Sequence, residues 1–262
     1  MTKKAFQKKI YQHYEREKRS LPWRKTVDPY KILVSEVMLQ QTQASRVKEK
    51  YALFIKKFPS VGALARAHTH DILVAWQGLG YNRRALSLKK TAETIISQYK
   101  GIFPKTYEEL VALPGIGPYT ANAIMVFAYN KPAVMIETNI RTVFIHFFFP
   151  KVNNSQKIPD RELMSLIEKY SDTSNPRQWY NALMDYGAYL KETTINPSRR
   201  SLHYTKQSTF KGSVRQIRGA IIKMYVQNPK LSKRTIMNAL PYTKEVVETQ
   251  YEKLKKENFF IK

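Results

Sequence analysis

The chain has 262 residues, of which 43% are hydrophobic, and its 45 Lys and Arg against 20 Asp and Glu give a formal net charge of +25. This hydrophobic fraction excludes a disordered basic tail, and the charge predicts a polyanionic partner, with nucleic acid favoured over a membrane surface or a ribosomal assembly. The absence of cysteine excludes disulfides, thiol catalysis and any iron–sulfur cluster or zinc ion bound by cysteine.

Histidine placement and hydropathy exclude two further classes of protein. The five histidines are scattered and have no acidic cluster beside them, so we predict no metal site built from these side chains. No apolar run approaches the length of a membrane span, and the lysine-rich N-terminus lacks the apolar core of a signal peptide. We therefore expect a soluble intracellular protein, cytoplasmic and associated with the nucleoid.

Most of the chain shows the apolar spacing of amphipathic helices, with Pro or Gly between the segments. The clearest segments are Tyr30–Gln40, Val47–Phe58, Asp71–Trp76, Leu86–Tyr99 and Leu163–Tyr170. No alternating strand pattern occurs before about residue 205. The pattern therefore predicts an all-α fold.

Glu36 is the only charged residue between Ser35 and Gln43. Helical spacing places it beside Leu33 and Val37, at the edge of the core. A carboxyl group held against apolar surface has a raised pKa and can act as a general acid near neutral pH. The residues by themselves also allow a plain surface glutamate at a helix end.

An amide cluster, Gln40, Gln41 and Gln43, follows Glu36. Neutral side chains that both donate and accept hydrogen bonds can fill the gap left when a base leaves the DNA stack. Exposed glutamine is common, however, so the cluster indicates such a role only together with its surroundings.

The loop Leu113–Gly117 has glycines at two alternate positions and precedes a helical run, Tyr119–Phe127. Glycine lets the backbone approach another surface closely, and the N-terminal amides of a helix attract anions such as phosphate. In a chain of this charge the predicted anion is a nucleic-acid backbone. The pattern is typical of a helix-hairpin-helix that clamps DNA.

Glu137 follows an apolar run and precedes a helix that includes Arg141. An acid in this position is most often a helix N-cap. A carboxylate beside a sugar can also stabilise positive charge on the anomeric carbon, and two carboxyl groups are the general solution for cleaving a glycosidic bond. Glu36 and Glu137 fit that scheme as acid and as electrostatic partner or nucleophile.

The C-terminal region differs from the rest in its composition. A polar, basic and turn-rich stretch predicts a linker over residues 196–212. Three helical segments follow, and Ser232 is the predicted N-cap of the second. The chain ends in Phe259-Phe260-Ile261, which we predict to be a terminal strand. Together these features predict a small winged-helix-like DNA-binding module over residues 213–262.

Five stretches of the chain resemble the helix-hairpin-helix glycosylase superfamily and, within it, the adenine-specific mismatch glycosylases. They occur in the family's order and cover roughly residues 5–195. The stretches are Leu21–Arg24, Pro29–Gln43, Trp76–Ala85, Leu113–Ala121 and Asn181–Ala188. The most specific is Pro29–Gln43, because other branches do not usually combine this acid with these glutamines.

The resemblance implies roles for individual residues of the reaction centre. It implies that Glu36 protonates adenine as the leaving group and that Glu137 acts at the sugar, with Asn139 orienting the acids. Tyr119 stands where the strand-cleaving branch has lysine, and without an amine there we expect no strong lyase activity at the abasic sugar. Tyr119 would instead hydrogen-bond the acids or the sugar.

The resemblance also implies a DNA-contacting set, which supports strand opening and holds the flipped base or the backbone. Its members are Gln40, Gln41, Tyr81, Arg24, Leu113, Gly115, Gly117, Arg83, Arg84, Arg199 and Arg200. The carbonyls of Leu113–Gly117 are further implied to hold a monovalent cation, K⁺ or Na⁺, that bridges to phosphate. No other cofactor is expected.

Three departures from the family pattern bear on function. The family usually has Asp where this chain has Glu137, which moves the carboxylate by roughly 1 Å. The loop that normally holds an iron–sulfur cluster has no cysteine and is replaced by residues 191–203. The usual large C-terminal domain that reads 8-oxoguanine is replaced by the short basic module.

The sequence therefore predicts an all-α, two-lobed helix-hairpin-helix glycosylase with a winged-helix-like appendix. We expect a glycosylase domain over 1–195, with a six-helix lobe over about 28–130 and a second lobe from 1–27 and 131–195. The predicted substrate of the monomer is duplex DNA with adenine opposite G or 8-oxoguanine. One alternative is a glycosylase for another base, either hypoxanthine, or thymine or uracil opposite G. The others are a strand-cleaving endonuclease and a non-catalytic DNA-binding protein on the same scaffold.

Overall fold

Helices account for all the regular secondary structure in a computed structural model that describes residues 1–150 and 157–260. Within these residues no strand is formed, so the predicted all-α class is confirmed. The α-helices are α1 Lys3–Glu17, α2 Pro29–Leu39, α3 Ala44–Lys57, α4 Val61–Arg66, α5 Thr69–Trp76, α6 Arg83–Tyr99, α7 Tyr107–Ala112, α8 Pro118–Phe127, α9 Thr138–Phe148, α10 Asp160–Tyr170, α11 Pro176–Thr193, α12 Val214–Gln227, α13 Lys233–Ala239 and α14 Lys244–Lys256. Short 3-10 helices occur at Pro22–Lys25 and Pro197–Arg200.

The described residues divide into two compact units. The first unit comprises residues 1–32, 105–111 and those described within 117–206, and the second comprises residues 33–104, 112–116 and those described within 207–262. The predicted boundaries are different, because they place 117–130 with the six-helix lobe and separate 213–262 as its own module. Those boundaries remain a prediction about folding units.

The core of the first unit is aromatic and centres on Phe6 of α1, which is fully buried. Five rings surround it at centroid distances of 5.3 to 5.7 Å, all in edge-to-face geometry, which is the favoured arrangement of aromatic pairs. They belong to Phe144, Phe147, Phe148, Tyr170 and Trp179. The cluster joins α1 to α9, α10 and α11, and so fixes the helix that begins just after Glu137.

Helix α11 packs closely against the start of α9 at one glycine. A Cβ atom built on Gly187 would lie 2.3 Å from the carbonyl oxygen of Asn139, well inside any real contact. A side chain at residue 187 would therefore force the two helices apart. Gly187 is what allows α11 to pass directly over the first turn of α9.

In the second unit, Phe54 of α3 packs edge-on against Trp76 of α5 at 5.8 Å, and both side chains are fully buried. The C-terminal helices belong to this unit, since α12 packs on α5. There the ring of His70 lies 3.0 Å from the carbonyl oxygen of Val226. The second unit thus combines the helices after Glu36 with the C-terminal region.

The C-terminal region consists of α12, α13 and α14, and Ser232 caps α13 as predicted by accepting from the amide of Thr235. The predicted terminal strand is wrong for Phe259 and Phe260, which lie in a turn, while Ile261 lies outside the described residues. Phe259 is fully buried, and Phe260 stacks on Tyr251 at 4.7 Å. The apolar ending is therefore buried against helices rather than paired with a strand.

None of the helices in 1–150 and 157–260 is sufficiently long and apolar to cross a membrane.

Candidate active site

Glu36 is buried in α2, with only 6% of its surface exposed. Its helical neighbours on either side, Ser35 and Val37, are also buried, as is Met38. The helix is apolar along most of its length, so Glu36 is an acid in an otherwise largely apolar and buried segment. A buried carboxyl group on such a helix can act as a general acid on a substrate that reaches it.

The backbone is unusual just after α2 and again before α6. Gln41 has φ +54° and Tyr81 has φ +46°, in the left-handed region that side-chain-bearing residues rarely adopt. Two glycines accompany Tyr81 in the same region, Gly78 at +89° and Gly80 at +68°. Strained backbone of this kind is frequent at ligand-binding sites, and here it coincides with two residues predicted to contact the flipped base.

Arg84, the second residue of α6, holds both of these segments together. Nη1 donates to the carbonyls of Val37 at 2.7 Å, Met38 at 2.8 Å and Gln40 at 2.6 Å. Nη2 donates to Thr42 Oγ1 at 3.0 Å and to the carbonyls of Leu79 at 3.2 Å and Gly80 at 3.0 Å. Burial lowers the pKa of the Arg84 guanidinium to about 10. The donors of Arg84 are thus directed at the protein, and its predicted contact with DNA remains a prediction.

Arg84→Met is expected to reduce the free energy of unfolding by about 3 kcal/mol, because it leaves the last carbonyls of α2 and the loop before α6 without their charged donor. Arg83→Met is the matched control: the Arg83 side chain is 70% exposed and pairs with Glu257 at 2.8 Å, so its loss should cost less than about 1 kcal/mol. Urea denaturation measures both variants. Equal stability of the two would contradict the structural role given to Arg84.

Tyr81 is held by its hydroxyl group as well as by its backbone. Arg215 Nη1 donates to the hydroxyl at 3.0 Å, Gln207 Nε2 also donates to it, and the Arg215 guanidinium lies 5.7 Å from the ring centre. Glu257 binds Arg218 at 2.6 Å and Arg83 at 2.8 Å. Helix α12 therefore contacts Tyr81, the predicted base-contacting residue, directly through Arg215.

In the hairpin loop, Gly115 has φ +79°, and a Cβ atom there would lie 2.8 Å from Cβ of Ser87. Only glycine fits this close approach. The side chain of Leu113 is buried, and its carbonyl accepts from the amide of Ile116 at 3.1 Å. Thr91 Oγ1 donates to the carbonyl of Pro114 at 2.6 Å. The carbonyls of Leu113 and Pro114, which belong to the set predicted to hold a monovalent cation, therefore each already accept one hydrogen bond.

Glu137 caps α9 in the first unit. Its Oε1 accepts from the backbone amides of Asn139 at 2.8 Å and Ile140 at 3.0 Å, and its Oε2 accepts from Asn139 Nδ2 at 3.2 Å. A side-chain carboxylate in this position satisfies the first amides of the helix, which carry its partial positive charge. The N-cap role and the predicted role at the sugar are thus compatible, because Oε2 of a capping carboxylate can still accept a hydrogen bond from a substrate.

Two further predicted residues lie where α8 begins. Gly117 is the N-cap residue, and its carbonyl accepts from the amide of Ala121 at 3.0 Å. Tyr119 lies in the first turn and is half-buried. Both positions agree with a helix that starts directly after the hairpin loop.

The three other predicted arginines lie in the first unit. Arg24 forms a bidentate ion pair with Asp185, at 2.7 Å from both carboxylate oxygens, and its side chain is 10% exposed. Arg200 Nη1 donates to the carbonyl of Phe149 at 2.5 Å, while Arg199 is exposed. Of the three, Arg199 alone has the exposure that a phosphate contact needs, and all three DNA contacts remain predictions.

The comparisons with known proteins identify the family of this chain. The family model described as the HhH-GPD superfamily base excision DNA repair protein matches residues 34–169, more than half of the chain. The chain belongs to the HhH-GPD superfamily. The match includes Glu36, the hairpin loop and Glu137.

Several curated relatives of this HhH-GPD protein are named adenine DNA glycosylase. One from Buchnera aphidicola is 38% identical over 180 residues, which is 69% of this chain and 50% of the relative. One from Mycobacterium tuberculosis is 37% identical over 176 residues, covering 67% of this chain and 58% of the relative. The HhH-GPD chain thus spans about half the length of the curated relatives that it matches.

The solved structures extend the comparison. A thermostable thymine-DNA glycosylase aligns with a TM-score of 0.63 at 30% identity, covering 71% of this chain and 86% of that one. An endonuclease III trapped on DNA aligns with a TM-score of 0.58 at 17% identity, covering 80% and 91%, which supports the fold alone. The predicted helix-hairpin-helix glycosylase fold is confirmed.

Two residues that contact predicted site residues of the HhH-GPD chain were not identified from the sequence. Asp185 is an acid in a mostly buried stretch of α11, and this isolation could have indicated its pairing with arginine. Lys191 contacts Asn139 from 52 positions away, and nothing local to it in the sequence indicates that contact. Neither residue adds a metal site, since the described residues contain no cluster of His, Asp and Glu suited to a metal ion.

Proposed function

We propose that this HhH-GPD chain is an adenine DNA glycosylase, which hydrolyses the N-glycosidic bond of adenine mispaired with G or 8-oxoguanine in duplex DNA. The observation that supports it best is Glu36, a carboxyl group with 6% exposure on an apolar helix. It lies in the stretch Pro29–Gln43 that most resembles the adenine-specific branch. The curated relatives with that name support the same substrate.

In the proposed reaction the adenine leaves the base stack, and Gln41 and Tyr81 occupy or border the space it vacates. The Glu36 carboxyl donates a proton to the adenine ring as the C1′–N9 bond breaks, so that the bond's electron pair leaves with a neutral base. The Glu137 carboxylate stabilises the positive charge that develops on the sugar. Water then adds at C1′ and loses a proton, giving an abasic site and free adenine.

The proposed enzyme is monofunctional and acts as a monomer. Strand cleavage in this superfamily proceeds through a Schiff base between an amine and the abasic sugar, and Tyr119 supplies no amine. A monovalent cation at the carbonyls of Leu113–Gly117 would neutralise part of the phosphate charge beside the hairpin. No other cofactor is required by the proposed chemistry.

A second candidate substrate is thymine opposite G, since the thymine-DNA glycosylase structure is 30% identical to this chain. The resemblance separates the two, because the thymine branch usually lacks the acid that corresponds to Glu36. A neutral purine leaves poorly unless its ring is protonated, and Glu36 provides that proton. The acid therefore favours adenine as the substrate.

Labelled duplexes that each contain one lesion pair test this proposal directly. The panel comprises A opposite 8-oxoguanine, A opposite G, hypoxanthine opposite T, T opposite G and U opposite G, each scored with and without alkali. We expect cleavage at A that depends on alkali, since hydrolysis leaves an intact strand with an abasic site. Cleavage only at T or U would assign the pyrimidine branch. Tight binding without any cleavage would indicate a DNA-binding protein, and cleavage without alkali would indicate a lyase.

A further inference from the structure

A lysine from α11 contacts Asn139, which in turn contacts Glu137, in the first unit. Lys191 Nζ donates to Asn139 Oδ1 at 2.7 Å, and Asn139 Nδ2 in turn donates to Glu137 Oε2 at 3.2 Å. Lys191 is half-buried. Its burial lowers the pKa of Lys191, while the nearby carboxylate of Glu137 acts in the opposite direction. The result is a continuous series of cation, amide and anion.

This contact depends on how closely α11 approaches α9. Gly187 and Lys191 are four residues apart and lie on the same face of α11. Gly187 allows the approach, since a Cβ there would lie 2.3 Å from the Asn139 carbonyl oxygen. One turn later, the long side chain of Lys191 meets the Asn139 amide. Both residues of α11 therefore contact the same residue of α9.

The chemistry of the two end groups fixes the orientation of the amide between them. An ammonium group only donates hydrogen bonds, and an ionised carboxylate only accepts them. With Lys191 on one side and Glu137 on the other, the Asn139 oxygen must face the lysine and its NH₂ must face the glutamate. The flipped amide would make two unfavourable contacts. Without Lys191, the Asn139 side chain loses one of the two groups that determine its orientation.

We propose that Lys191 is a positioning residue for base excision. It holds the Asn139 amide so that the amide NH₂ fixes Oε2 of the Glu137 carboxylate. The proposal rests on the function proposed above. Oε1 is already bound by two backbone amides, so Oε2 is the oxygen whose direction Asn139 controls. A small displacement of a carboxylate that acts on a developing charge can greatly reduce the rate.

Single-turnover excision of adenine tests this inference. Lys191→Met keeps the helix propensity and much of the length of the side chain, and is expected to lower the excision rate constant about tenfold, with duplex affinity within about twofold of the unchanged protein.

Asn139→Ala should lower the rate as well, and adding K191M to it should cost less than a further twofold. Lys131→Met, which removes an exposed ammonium bound to the Lys105 carbonyl, is the control and should have no effect. An unchanged rate in K191M, or losses that multiply in the double variant, would overturn the inference.

Lys191→Gln provides a second variant should K191M fail to fold. Its amide both donates and accepts, so it no longer fixes the orientation of Asn139, and the rate should again fall. An unchanged rate in K191Q would count against the positioning role.

A measurement that does not depend on activity separates this inference from the proposed function. We expect the side-chain NH₂ of Asn139 to exchange with water at least tenfold faster in K191M than in the unchanged protein, as measured by ¹⁵N-edited NMR. If the unchanged protein excises no base but this difference is observed, the proposed function fails and the hydrogen-bond network stands. If excision occurs and the exchange rates are equal, the positioning role fails and the function stands.

Discussion

Glu36→Gln is expected to slow adenine excision about 1,000-fold, while affinity for the mismatched duplex changes by less than about threefold. Glutamine matches the shape of the glutamic acid side chain but has no acidic proton to deliver. The loss corresponds to about 4 kcal/mol in the barrier, within the range that one well-placed general acid contributes. Because Glu36 is 6% exposed, no solvent proton donor readily replaces it.

Rate constants under single-turnover conditions, together with affinities for a duplex that contains an uncleavable adenine analogue, measure the two effects separately. Glu49→Gln is the matched control, since Glu49 is an exposed glutamate on α3 in the same unit. Its rate should equal that of the unchanged protein. If E36Q excised adenine as fast as E49Q, Glu36 would not be the acid, and its burial would need a purely structural explanation.

Features that depend on residues close together in the sequence could be predicted. Apolar spacing predicted helices where α2, α3 and α6 occur, and Ser232 was recognised as an N-cap because capping involves residues three positions apart. The apolar residues on its own helix placed Glu36 at the edge of the core, while they also allowed a surface glutamate; the side chain is buried. Each of these features depends on residues within one or two turns of each other.

Features that depend on residues far apart in the sequence could not be predicted. Arg84 was predicted to contact DNA, and nothing in the sequence indicated that its Nη1 donates to carbonyls of residues 37–40, at the C-terminal end of α2, or that its Nη2 donates to the loop before α6. The contact of Lys191 with Asn139 requires α11 to pass over α9 at Gly187. The ending at Phe259 and Phe260 was mistaken for a strand, because an apolar pair carries the same pattern whether it pairs with a strand or covers a helix.

The second large effect is expected at Glu137, where one side chain has both a structural and a chemical role. Glu137→Gln should lower the excision rate about 100-fold, because it removes the negative charge that faces the developing positive charge on the sugar. Its amide oxygen can still accept from the amides of Asn139 and Ile140, so the helix cap persists. Glu137→Ala should lower the rate to a similar extent and also destabilise the fold by about 1 kcal/mol.

Comparison of the Gln and Ala variants separates the two roles of Glu137. Thermal denaturation reports the cap, and single-turnover excision reports the charge. Glu162→Gln is the control for charge at a helix start, because Glu162 is an exposed acid in the first turn of α10. A Gln variant that excised adenine normally while the Ala variant unfolded would assign Glu137 to capping alone. That result would leave Glu36 without its proposed electrostatic partner. The side chain of Glu137 is one methylene longer than the family's usual aspartate, and this difference would then explain why Glu137 does not stabilise the charge on the sugar.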